Sequence, residues 1–121
     1  MKDFDPINFV RGLDAVSRAD LRAALMDQAQ RAADRTARDA QIAEFCAIFF
    51  GERSQRGAAM AFIDEASRYR RTDWPRDQTR GGVDPRAGSR RVRLFAIMRL
   101  SGGEPNRIRT IQNILAKSGK F

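Results

Sequence analysis

The sequence predicts an all-α fold: a compact bundle of about five helices, with one long central helix, a long basic loop and a C-terminal helix-turn-helix-like pair. Apolar residues recur at spacings of three and four over most of the chain. Proline and glycine fall where helices start and stop, at Pro6, Gly51, Gly102-Gly103 and Gly119. Residues 90–100 are the exception, because Val92–Met98 is nearly continuous in apolar content and a strand there is the alternative.

At 121 residues the chain fits one domain, 1–121. It divides into a near-neutral helical core (1–71), a basic loop (72–89) and a basic C-terminal helical pair (90–121). Asp5 caps a first helix with Pro6 at its first position, and Phe4 and Phe9 form a hydrophobic staple across that cap. Ile7, Val10 and Leu13 continue its apolar stripe. A second helix opens at Ser17, flanked by Val16 and Leu21, and runs to Phe50 with Gly51 as its stop. Unbroken, it would measure about 50 Å; the alternative is a break near Arg35-Thr36. Asp27–Arg31 and Asp34–Arg38 place acid before base at the favourable spacing. The alanine-rich seam points to a homodimer through this helix, around Leu21–Phe50. The run Phe45–Phe50 is apolar on every side and is expected to be buried all round.

A third helix opens at Ser54, turns Ala59, Phe62, Ile63, Ala66 and Tyr69 inward, and closes on Arg68, Arg70 and Arg71. Residues 72–89 read as loop, and loops that long are usually functional or mobile. Ser89 caps the next helix, to Leu100, and the last opens around Glu104-Pro105 and ends at Ser118. Its inward stripe is Ile108, Ile111, Ile114 and Leu115.

Charge is distributed unevenly. Residues 1–67 carry 9 Lys/Arg and 11 Asp/Glu, whereas 68–121 carry 14 and 4, giving net charges of −2 and +10. A GC-rich genome explains why 20 of the 23 basic residues are arginine, but it does not explain why the acids thin out in the second half. That asymmetry points to a polyanionic partner, and the arginine fork suits phosphate.

Two groups of residues are candidate contacts. The first is the loop with its flanks: Arg68, Arg70, Arg71, Arg76, Arg80, Arg90, Arg91 and Arg93, with Arg86 inside the loop. Tyr69 and Trp74 lie among them and either stack on bases or lid the core, the second being favoured. The second group is the outward face of the last helix: Asn106, Arg107, Arg109, Thr110, Asn113 and Lys117. Those residue types bond base edges and phosphates in a major groove. Gly102 in the turn and Ile108 six residues later fit a helix-turn-helix, while Met98 is larger than the residue usually packed there.

The enzyme reading is weak. Histidine is absent, which removes the commonest general base, and a single cysteine excludes cysteine zinc sites. Asp73, Asp77 and Asp84 sit among arginines, where ion pairing is favoured over metal binding. No phosphate-loop motif occurs, and neither a cofactor nor a metal is expected. The chain lacks a membrane-spanning run and an N-terminal secretory signal, and its lone Cys46 fits a reducing cytoplasm.

The sequence therefore leads to a non-enzymatic nucleic-acid-binding protein, DNA preferred over RNA, of the kind found among small regulators and phage or mobile-element accessory proteins. The alternative is a phage-type interaction module or inhibitor that docks on an acidic surface of a larger assembly.

Overall fold

The computed structural model describes residues 15–103 and 107–121. Five α-helices and one 3-10 turn occur among the described residues, with no strand. They are α1 (Ala15–Phe50), α2 (Gln55–Thr72), α3 (Trp74–Arg80), the turn Pro85–Ala87, α4 (Ser89–Leu100) and α5 (Ile108–Ser118). Residues 90–100 are helix, not strand. The expected helix from Asp5, with its Phe4–Phe9 staple, lies outside the described residues. The last helix opens at Ile108 after an extended Arg107, not around Glu104-Pro105, which themselves lie outside the described residues.

Contacts divide the chain into two units, Met1–Ala33 and Asp34–Phe121. In the first, α1 is already helical at Ala15, so Ser17 does not cap it. Residues 18–33 are exposed throughout, and the Asp27–Arg31 pair, 2.8 Å apart, lies at the surface. Such a pair adds only a few tenths of a kcal/mol. No break occurs at Arg35-Thr36, and α1 ends at Phe50 as its Gly51 stop implies.

The second unit holds the hydrophobic core. Ile42, Phe45, Cys46 and Phe50 of α1 meet Ala58, Ala59, Phe62, Ala66 and Tyr69 of α2, with Leu94, Ile97 and Met98 of α4 and Ile111, Ile114 and Leu115 of α5. Phe45 is fully buried and touches three rings: Phe49 at 4.6 Å between centroids, Phe62 edge-on at 5.6 Å and Phe50 edge-on at 5.9 Å. Helix periodicity still applies inside this apolar run, so one position turns outward. Ile48 is 51% exposed, which corrects the expectation of burial all round.

Ser54 caps α2, its Oγ accepting from the Gly57 amide at 3.0 Å. Residues 72–89, read as loop from sequence, instead contain α3 and the 3-10 turn. Pro75 lacks the amide that would bond the Arg71 carbonyl, so α2 closes at Thr72 and the chain restarts with Pro75 in the first turn of α3. Gly81, left-handed at φ +76°, ends α3. Asp84 Oδ1 then accepts from the Arg86 amide at 2.9 Å and shapes the 3-10 turn. Gly88 rather than Ser89 occupies the cap position of α4, because its φ of +106° is not open to serine.

Candidate nucleic-acid interface

The arginines sort into those held by neighbouring helices and those turned to solvent. Arg91 belongs to the first class. It donates to Asp77 from Nε at 3.0 Å and from Nη2 at 2.6 Å, while Tyr69 Oη donates to the same carboxylate at 2.7 Å. Asp77 is only 1% exposed, so these three bonds tie α2, α3 and α4 together around a buried charge. The Arg91 hydrogen bonds hold the Asp77 carboxyl below its ordinary range, against the opposing effect of burial. Burial, then the bond to Asp77, pushes the Tyr69 phenol up. Arg91, in turn, is raised by its bond to Asp77.

Its neighbours on α4 are engaged as well. Arg90 pairs with Glu65 of α2 at 2.9 Å and stacks on Phe49, its guanidinium 4.6 Å from the ring centroid. Arg93 reaches Glu44 of α1 at 3.3 Å. Arg68 lines a cleft of about 240 Å³ with Arg90, Arg91, Glu65 and Asp73. Three of the sequence-derived contacts, Arg90, Arg91 and Arg93, therefore make intramolecular ion pairs. The two aromatics also face inward: Tyr69 is 4% and Trp74 9% exposed, as lids on the core rather than stacking platforms.

The remaining candidates are outward. Arg70 and Arg71 occupy the last turn of α2, and Arg76 and Arg80, one turn apart on α3, are exposed, with Arg80 near enough to Asp77 to favour its charged form. On α5, Arg109, Asn113 and Lys117 follow one another at spacings of four, with Thr110 beside them; all are exposed, and Arg107 precedes them at the cap position. Helix α5 contains no Asp or Glu, and Arg107, Arg109 and Lys117 form no ion pair among the described residues. Asn106 lies outside the described residues.

The helix-turn-helix resemblance is only partial. Gly102 and Gly103, at φ +67° and +82°, turn the chain after α4, and the Gly103 amide donates to the Met98 carbonyl at 2.8 Å. Gly103 fits there because a β-carbon would lie 2.9 Å from Trp74 Nε1. Ile108, expected inward, is 38% exposed, whereas Ile111, Ile114 and Leu115 are buried. The buried arc of α5 begins one turn later because α5 packs chiefly along α2.

Sequence reasoning missed the Tyr69–Asp77–Arg91 cluster. Its only signal was an aspartate among arginines, read correctly as ion pairing but without its partner. Among the described residues, no His/Cys/Asp/Glu group is placed to hold a metal ion, and no helix is long and apolar enough to cross a membrane. No family model, curated protein or solved structure matches this chain.

Proposed function

We propose that the chain is a non-enzymatic nucleic-acid-binding protein that contacts its polymer through α5. The observation that carries this reading is the acid-free outward face of Arg109, Thr110, Asn113 and Lys117, free of the internal ion pairs that occupy Arg90, Arg91 and Arg93. Arg107, Arg109 and Lys117 neutralise phosphates and release counterions, and Asn113 offers the donor–acceptor pair that reads adenine in a major groove. Arg76 and Arg80 of α3 add backbone contacts. Duplex DNA is preferred over RNA, because a helix face enters the major groove of B-form DNA and not that of A-form RNA.

Fluorescence anisotropy with labelled duplex DNA, single-stranded DNA and RNA at several salt concentrations tests this. The affinity should fall steeply with salt, by roughly 0.9 in log–log slope per phosphate contact. Replacing Arg107 and Arg109 by alanine should reduce that slope by about 2. Absence of binding at low salt, or an unchanged slope in the variant, refutes the proposal.

A second reading is favoured by one feature of α4. Val92, Phe95, Ala96 and Leu100 line a groove of about 600 Å³ together with exposed Arg99 and with Asp34 and Gln41 of α1. A trough whose floor is apolar and which carries both an acid and a base suits a helix of another protein, with Arg99 meeting its acids, better than it suits a phosphate backbone. Loss of a protein contact on Arg99→Glu, with nucleic-acid affinity absent, would select this reading.

A further inference from the structure

We propose that α1 carries a self-association surface for a second copy of this chain, in which Leu21 and Leu25 of each copy pack over Ala33 and Ala29 of the other, antiparallel. Leu21, Leu25, Ala29 and Ala33 follow one another at spacings of four and so form one ridge along the helix. All four are exposed, Leu21 at 53% and Leu25 at 57%, and Met26 beside them at 73%.

The ridge is graded in size, two leucines followed by two alanines. Parallel pairing would stack leucine on leucine and leave a gap over the alanines. A two-fold axis between residues 25 and 29 instead sets Leu25 over Ala29 and Leu21 over Ala33, and the same contacts recur on the other side of the axis. Large meets small at each level, so the helices can approach at uniform separation.

Charge permits the same occupant. Met1–Ala33 carries five basic and five acidic residues, whereas Asp34–Phe121 carries 18 and 10 and so the whole net charge of +8. Residues 18–33 carry three basic and two acidic residues, a net of +1, so a second copy meets less like charge here than on the bundle. In the antiparallel register Arg22 opposes Ala32, and no two like charges face each other near the axis. Acidic Asp20 and Asp27 lie on the far side of the helix with Arg31, clear of the ridge. Only the ridge side of the 16 exposed residues from 18 to 33 can be covered by one partner, fewer than the roughly 20–30 residues per side of a standard interface, so the expected association is weak.

Sedimentation velocity on the full chain, from low- to high-micromolar concentration, should show a monomer–dimer equilibrium. Leu25→Glu should weaken it at least tenfold while leaving the circular dichroism spectrum and thermal transition unchanged, because Leu25 is outside the core. Orientation is tested by mixing Leu25→Cys with Ala29→Cys chains under mild oxidation; Cys46, fully buried, stays out of the reaction. A crosslink between the two different variants, in preference to either with itself, supports the antiparallel register. A chain that stays monomeric, a dimer that survives Leu25→Glu, or preferential Leu25→Cys self-crosslinking each overturns the proposal. The inference does not rest on the nucleic-acid reading, since Leu25→Glu leaves α5 intact and the two assays can fail separately.

Discussion

Replacing Asp77 with asparagine should be the most damaging single polar substitution in the bundle. The carboxylate is 1% exposed and accepts three hydrogen bonds, two from Arg91 and one from Tyr69. Asparagine keeps one acceptor and turns an amide donor toward groups that are themselves donors. Hydrogen bonds to a charged group contribute about 1.5–3 kcal/mol each, and removing one partner of a buried ion pair costs about 3–5 kcal/mol. Arg91 is partly solvated and keeps Asp73 at 3.9 Å, so the low end applies, about 3 kcal/mol. For a domain of this size that is a fall of roughly 12 °C in Tm. Urea and thermal unfolding, followed by circular dichroism and by the single tryptophan, Trp74, measure it. Because the folded-state pKa of Asp77 is depressed, its stabilisation is present above the unfolded carboxylate value of about 3.9 and is lost as pH falls through the lower folded value. Asp77→Asn should therefore also flatten the acid limb of the stability curve. A variant within about 1 kcal/mol of the parent, with an unchanged acid limb, would refute the assignment of Asp77 as the buried tie between three helices.

Tyr69→Phe should cost less, about 1.5 kcal/mol, since one hydrogen bond to the carboxylate is lost and the ring stays packed. The folded-state phenol pKa is raised, so the parent should lose stability as pH rises past the unfolded tyrosine value of about 10, and the phenylalanine variant should lack that component. Gly103→Ala combines a φ of +82° with a methyl 2.9 Å from the indole nitrogen of Trp74, and a loss of about 2 kcal/mol should appear in urea melts with a shifted tryptophan emission. Burial pushes the Cys46 thiol up to about 12, so an aromatic disulfide reagent at pH 8 should react only as fast as the core opens; free-thiol rates in the native protein would contradict that burial.

The parts of the fold legible in the sequence are those fixed by near neighbours. The Ser54 cap bonds an amide three residues away, Gly51 follows the last turn of α1, and Gly119 ends α5 in the left-handed conformation. Helix α3 escaped because seven residues, five of them polar side chains after Trp-Pro, carry no apolar period, although Pro75 and Gly81 punctuated it. Its register is set by Asp77 meeting Arg91 fourteen residues later, which no local pattern encodes. Ile48 and Ile108 show the same limit from the other side. Periodicity identifies a stripe but not how far the neighbouring helix covers it, and both positions fall where that cover stops.

The candidate site was harder to read for an electrostatic reason. Arg90, Arg91 and Arg93 form a basic run as dense as Arg68, Arg70 and Arg71, and density alone marks both as phosphate contacts. Successive helix positions point in different directions, however, and these three reach three separate helices: Glu65 on α2, Asp77 on α3 and Glu44 on α1. Acids are thus matched to one of the two most crowded arginine runs, and unbalanced charge is left on α3 and α5. A partner reading this surface would meet not the arginine run but the sparser acid-free face of α5. Alanine at Arg90 or Arg93 should accordingly lower stability with little change in the salt dependence of nucleic-acid binding, whereas alanine at Arg107 and Arg109 should do the reverse. The opposite pattern would return the interface to α4.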